Sequence, residues 1–238
     1  MTEEITNEQE QKAWYENYYK KKGADRNDPR LNRGAISQLL AAEAALIRAF
    51  HRIPCSPERT QLLDVGCGSG ARIFEFFRLG FRPIDVIGMD IQQERLNAGR
   101  QYLPQINFVQ GDASAMTLGD RSVDFVFEST MFAALTNDEV RGNIAHEMVR
   151  VCRSGGYLLL SDWRTPKYGD ENYKALTRRD ICRLFGVGRE TELIATENGA
   201  LVPPVGRFLS THMSWLYFPI AAILPFLVGQ VVYVLRKR

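Results

Sequence analysis

Neither sign of charge is in excess in this sequence: 30 lysines and arginines face 28 aspartates and glutamates, a net of +2 at pH 7. No global field draws such a chain to nucleic acid or anionic lipid, so function has to come from local sites. Cysteine is scarce as well. Cys55, Cys67, Cys152 and Cys182 are scattered, with no C-x-x-C pair and no histidine cluster beside them, which argues against a disulfide framework or a metal site and suits a reducing compartment. Of the three histidines, His146 is expected on a helix, solvated or half-buried, and His51 and His212 have no supporting context. The N-terminal stretch MTEEITNEQEQK lacks the basic start and apolar core of a signal peptide, so a cytoplasmic location is expected. There is no internal repeat and no low-complexity segment.

What is present is an apolar content of 45% over 238 residues, enough for one large domain with a substantial core. Apolar residues recur at helical spacing from Ala35 to Phe50, and RIPCSPER then breaks the pattern with two prolines. Short β-rich runs alternate with helical ones after that: Leu62 to Val65 with Ala71 to Leu79, Val86 to Met89 with Gln92 to Tyr102, and Val123 to Phe127 with Asp138 to Cys152. Ile106 to Val109 and Tyr157 to Leu160 are further strand candidates. Strands alternating with helices imply right-handed crossovers and a parallel sheet covered on both faces. The expected fold class is therefore doubly wound, Rossmann-like α/β. The expected domains are a helical cap over 1–55 and a core over 56–238, with an apolar helical insertion at about 203–227.

The stretch LLDVGCGSGA turns a strand directly into a helix. Glycines serve there for the tight turn, for close approach of a ligand and for seating the helix on the strand, and Gly66, Gly68 and Gly70 fit those roles. Asp90 ends the second strand in VIGMD, where a carboxylate can accept from both ribose hydroxyls. Asp112 in QGDAS follows the third strand and can accept from the adenine amine. With Asp64, three acids fall at carboxyl ends of consecutive strands, the edge at which open α/β sheets bind ligands. GCGSGA also satisfies the dinucleotide form G-x-G-x-x-A. A pyrophosphate is poorly served by Asp64 two residues before Gly66, whereas the α-ammonium and sulfonium of S-adenosylmethionine are well served.

The motifs LLDVGCGSG, VIGMDIQQERL, FVQGDAS, SVDFVFEST and VCRSGGYLLLSDW, in this order, resemble the class I S-adenosylmethionine-dependent methyltransferases over about Gln61 to Trp163. The resemblance implies a sheet ordered 3-2-1-4-5-7-6 with an antiparallel last strand, which asks for two more strands. Glu190 to Leu201 and Gly229 to Arg238 are the candidates. It implies cofactor binding by Asp64, Gly66, Cys67, Gly68, Gly70, Asp90, Ile91, Asp112, Ala113 and Glu128, and a lid carrying Trp14, Tyr18 and Tyr19. The insertion and the segment Asp25 to Asp28, DRND, are similar to those of a narrower group of bacterial methyltransferases.

Methyl transfer to a hydroxyl calls for a base near the donor. The candidates are Glu128, ending the fourth strand, and Asp162, following the fifth. A turn contact for Glu128 and an ion pair with Arg164 for Asp162 are the plain readings of both. Amine-methylating members of the family often carry Asn or Asp, Pro-Pro and an aromatic after the fourth strand; this chain has Ser129-Thr130-Met131-Phe132, which disfavours adenine or glutamine methylation. A small-molecule acceptor such as a glycan, lipid or secondary-metabolite precursor is expected, and no nucleic acid, since Lys20 to Lys22 is too short a basic run. A non-catalytic cofactor-binding module and an NAD(P)-dependent oxidoreductase stay open. Leu216 to Leu235 is uncharged and ends in Arg-Lys-Arg as a spanning helix does. Pro219, Pro225 and Gly229 interrupt it, so a buried helix and a strand are expected, with peripheral membrane contact as the alternative.

Overall fold

The computed structural model describes residues 24–167, 170 and 172–238. Trp14, Tyr18, Tyr19 and the lysines 20–22 lie outside the described residues.

Seven strands, β1 (Leu62–Val65), β2 (Val86–Asp90), β3 (Asn107–Gln110), β4 (Val123–Ser129), β5 (Cys152–Trp163), β6 (Thr191–Asn198) and β7 (Gln230–Lys237), form one sheet. Their order is β3-β2-β1-β4-β5-β7-β6. The first five run parallel, and β7 is antiparallel to both β5 and β6. All four residues of β1 are buried, as befits a central parallel strand covered on both faces. The strand order reverses beside β1, between β2 and β4, and this opens a crevice at the carboxyl ends of the strands.

Helices α1 (Arg33–Phe50), α2 (Ile73–Arg78), α3 (Gln93–Tyr102), α4 (Asp138–Val151), α5 (Arg178–Leu184), α6 (Pro203–His212) and α7 (Ser214–Ile223) flank the sheet. Local chemistry starts them. Asn32 caps α1 by accepting from Gly34 N, Asn137 caps α4 through Glu139 N and Val140 N, and Thr177 and Asp180 form a reciprocal capping box on α5. Helix α1 buries Ala35, Ala41, Ala42, Ala45 and Ala49. Such small residues let it lie close to the sheet, in one apolar cluster with Leu62, Phe125, Val232 and Val234. Phe76, Phe81, Phe125 and Phe127 fill that side edge to face, with centroids from 4.8 Å between Phe76 and Phe127 to 6.2 Å between Phe76 and Phe125.

Several boundaries differ from the sequence expectation, each for a local reason. Helix α2 starts only at Ile73 because the preceding glycines hold left-handed backbone. Strand β5 begins at Cys152 and bends through Gly155 (φ +78°) and Gly156, where a Cβ would meet Asp124 O at 2.6 Å. Asp162 therefore lies inside β5 and does not follow it. The uncharged C-terminal run divides into α7, a 3-10 turn at Pro225–Leu227 and strand β7. Among the described residues no helix is long and apolar enough to cross a membrane.

Candidate active site

Three glycines with positive φ, Gly66 (71°), Gly68 (57°) and Gly70 (80°), carry the chain from β1 towards α2. L-residues avoid this backbone region, so the turn depends on glycine. Gly66 N and Cys67 N both donate to Met89 O, at 2.8 and 2.9 Å, which ties the loop to β2. Asp90 completes the tie. Its Oδ2 accepts from Gly68 N at 2.7 Å and its Oδ1 from Gln92 N at 2.9 Å, with Arg95 Nη1 3.9 Å from Oδ2. Asp112 orders the turn after β3 by accepting from Ser114 N and Ser114 Oγ at 2.8 and 2.7 Å.

A cleft of about 570 Å³, open to solvent, lies at this edge. Of the residues predicted to hold a cofactor, Gly66, Asp90, Ile91, Asp112 and Ala113 line it. Asp64, Cys67, Gly68, Gly70 and Glu128 do not. Cys67 Sγ turns onto β2, where a Cβ on Gly88 would lie 3.0 Å from it, and burial pushes its thiol up. Arg95, Met131 and Ile144 also line the cleft, and the motifs did not point to them. Arg95 lies in the first turn of α3, five residues after Asp90 and inside the motif VIGMDIQQERL, which could have flagged it; Met131 and Ile144 arrive through a loop and the inward face of α4, which leave no motif.

Beneath the loop lies Asp64, 2% exposed, with Oδ2 accepting no hydrogen bond. Burial raises its pKa to about 8; Arg72 opposes the rise, while Asp90 and Glu75 add to it. Glu128 and Asp162, both fully buried, form a second acidic spot under the loop that follows β4. Glu128 Oε2 accepts from Met131 N at 3.2 Å, and Oε1 has no partner. Asp162 accepts from Ala133 N at 2.9 Å and Trp163 N at 2.6 Å. It makes no ion pair with Arg164, which donates instead to Val228 O and Pro225 O. Burial pushes both carboxyls up, and Asp162 pushes Glu128 further, whereas its own backbone donors hold Asp162 down. Backbone donors at Met131 and Phe132 oppose the rise at Glu128 as well. Thr130 sits at φ 58°, an outlier for a β-branched residue, held by Thr130 N donating to Ser161 O at 3.0 Å. His146, His51 and His212 are exposed, and none of them lines the cleft.

This loop and strand pattern has relatives. The family described as "Methyltransferase domain" matches residues 62–156, the segment that carries the glycine turn and the carboxylates of β1, β2 and β4. The match to a methyltransferase domain is thus confined to residues 62–156. Demethylmenaquinone methyltransferase of Renibacterium salmoninarum is 31% identical over 109 residues, 46% of this chain and 44% of that protein. Fatty-acid O-methyltransferase of Mycolicibacterium smegmatis is 33% identical over 113 residues, 47% of this chain and 39% of that protein. The match thus spans less than half the length of these curated relatives. An S-adenosylmethionine-dependent methyltransferase of known structure from Methanosarcina mazei has the same fold, with a TM-score of 0.55 at 19% identity over 76% of this chain and 93% of that one.

The cofactor of this domain class is S-adenosylmethionine, and the methyltransferase domain here fits it. The orphaned oxygens of Asp64 and Glu128 are buried acceptors suited to a cationic ligand. A Cβ at Gly66 would meet Met131 Sδ at 2.9 Å and displace that side chain, and the φ of 71° itself asks for glycine. A pyrophosphate placed there would face the buried Asp64 and Asp90 carboxyls instead of a bare helix start.

Proposed function

We propose that this protein transfers the methyl group of S-adenosylmethionine to a hydroxyl oxygen of a small apolar acceptor. The observation that carries the reading is the acidic, glycine-floored cleft at the carboxyl edge of β1, β2 and β4, with Asp64 unpartnered beneath it. In this reading Asp64 draws the ammonium end, Asp90 accepts from the ribose hydroxyls, and Asp112 with Ala113 borders the adenine. The bound sulfonium supplies a methyl that is already activated, so alignment is the chain's main task. Met131 and the strained Thr130 shape the acceptor side. Asp162, with Glu128 beside it, serves as the proton acceptor once the loop over them shifts: burial raises Asp162 to about 7, near the range in which a base both exists and accepts well. Against adenine or glutamine methylation stands Ser129-Thr130-Met131-Phe132, which lacks the amine-methylating pattern, and support for oxygen comes from the likeness to a fatty-acid O-methyltransferase.

The test is calorimetric titration with S-adenosylhomocysteine, NAD and NADP in one buffer, followed by transfer of labelled methyl to hydroxyl and carboxyl acceptors. Binding of S-adenosylhomocysteine alone at about micromolar Kd, with label in an acceptor, is expected. Binding of a dinucleotide alone overturns the reading. Tight S-adenosylhomocysteine binding with no acceptor turned over points to a cofactor-binding module. In Asp162→Asn the expected result is a fall in kcat of about a hundredfold with the cofactor Kd unchanged.

A further inference from the structure

From Phe208 to Leu235 the chain carries no aspartate, glutamate, lysine or arginine. Burial accounts for the strand part, since Val231 to Leu235 are at most 1% exposed. It does not account for the helices. Phe208, Trp215, Phe218, Ile223 and Phe226 are 55, 74, 48, 76 and 72% exposed. Helix α7 is nevertheless firmly seated. Tyr217, on its inner face, is fully buried, donating to Gln38 Oε1 at 2.7 Å and accepting from Leu201 N at 3.0 Å. A fixed helix that is apolar inwards and outwards belongs in an apolar medium on both sides.

The surroundings of this face are basic. Helix α1 is joined to α6 by Ser37 N donating to Ser210 Oγ at 3.1 Å and by Ser210 Oγ donating to Arg33 O at 2.6 Å. Arg33 opens α1 beside the exposed Ile36 and Leu40, and Arg207 lies on α6. Over residues 26–42 the one carboxylate is Asp28, ion-paired to Arg30 at 2.7 Å. The patch also borders the cleft's edge of the sheet: Pro225 O and Val228 O accept from Arg164, the residue that follows β5.

We propose that the outer face of α6, α7 and the 225–227 turn docks on an anionic lipid bilayer, lying among the headgroups without crossing them, and presents the cleft to an amphiphilic acceptor resident there. The last clause rests on the methyl-transfer reading; the docking does not. Aromatic rings anchor at the interface and the exposed Arg33 meets the anionic headgroups, while Arg207 is held by Arg26 O and Asn27 Oδ1; these are two signals of the kind that stable attachment needs.

The experiment is flotation of the full chain with vesicles of neutral phosphatidylcholine and with vesicles containing 30% anionic phosphatidylglycerol. Binding to the anionic vesicles is expected, weaker at high salt because exposed charges are screened. Trp215→Ser with Phe226→Ser is expected to cut the partition coefficient about tenfold or more, and Arg33→Glu about fivefold or more. Titration with S-adenosylhomocysteine on the same variants should be unchanged, which shows that they fold and separates docking from cofactor binding. Failure to float with anionic vesicles overturns the proposal. So does flotation that survives the Trp215 and Phe226 substitutions, or a concentration-dependent dimer that those substitutions dissolve, since the face would then belong to a second copy. Loss of cofactor binding with flotation intact would strike the methyl-transfer reading and leave the docking standing.

Discussion

The glycine loop and the α6–α7 segment meet at one edge of the sheet and are made by opposite rules. In the loop, side chains are stripped away and nearly every polar group is tied: two amides to Met89 O, one to Asp90. In the segment, large apolar side chains face water, and from Phe208 onward charge is absent. The loop's exception is Asp64, which keeps a carboxylate oxygen buried without a donor. A polar group left unsatisfied costs stability, about 1–3 kcal/mol and more when charged. The segment's exception is Tyr217, whose hydroxyl is fully satisfied and pins the helix. Specific ligands are received where the fold tolerates an unmet polar group; broad surfaces are met where it tolerates bare hydrocarbon.

Removing the tie is expected to have the largest effect. Asp90→Ala strands Gly68 N and Gln92 N and takes away the ribose acceptor, so S-adenosylhomocysteine affinity should fall at least about a hundredfold and stability by about 2–4 kcal/mol, read by calorimetry and urea unfolding. A near-normal Kd would mean that the loop is organised by its glycines alone.

Asp64→Asn tests the exception. It should weaken cofactor affinity about tenfold while raising stability at pH 8 by about 1–2 kcal/mol. The carboxyl holds its proton to about pH 8 in the fold, against 3.8 ordinarily. The native state therefore binds more protons than the unfolded chain between these values, and Asp64 weakens the fold as pH rises through that window. Cofactor affinity should move the opposite way, strengthening from pH 6 to 8 as the carboxylate forms. Thermal unfolding and titration at three pH values check both slopes, and a flat Asp64→Asn difference in either would separate Asp64 from the site.

On the apolar side, Tyr217→Phe leaves Leu201 N and Gln38 without their shared hydroxyl and should cost about 1–3 kcal/mol with cofactor affinity intact. Phe226→Ser changes a side chain that is 72% exposed and should leave stability in aqueous buffer within about 0.5 kcal/mol. A larger loss would show that the outer face is structural and would blunt the contrast between the two regions.

The carboxyl-edge acids show how far the sequence could be read. Asp64, Asp90 and Asp112 stand out because strand periodicity and glycine spacing are local, and the ends of β1, β2 and β3 fall within a residue of expectation. Strands β6 and β7 are demanded only by the family resemblance, and β7 does insert antiparallel between β5 and β6. Met131 and Ile144 were out of reach because a cleft wall is assembled from separate elements that share no spacing.

Sequence alone determined the alternation of strands and helices, the left-handed glycines of the turn and the set of acids at the strand ends, since each follows from backbone sterics and side-chain period over a few neighbouring residues. Only the tertiary structure decided which acids are satisfied. Asp90 meets two amides across 22 and 2 positions of chain, Glu128 and Asp162 are brought together under one loop, and Asp64 is left without a donor. Burial and hydrogen bonding are properties of what surrounds a side chain, and those surroundings come into being when distant segments close on one another.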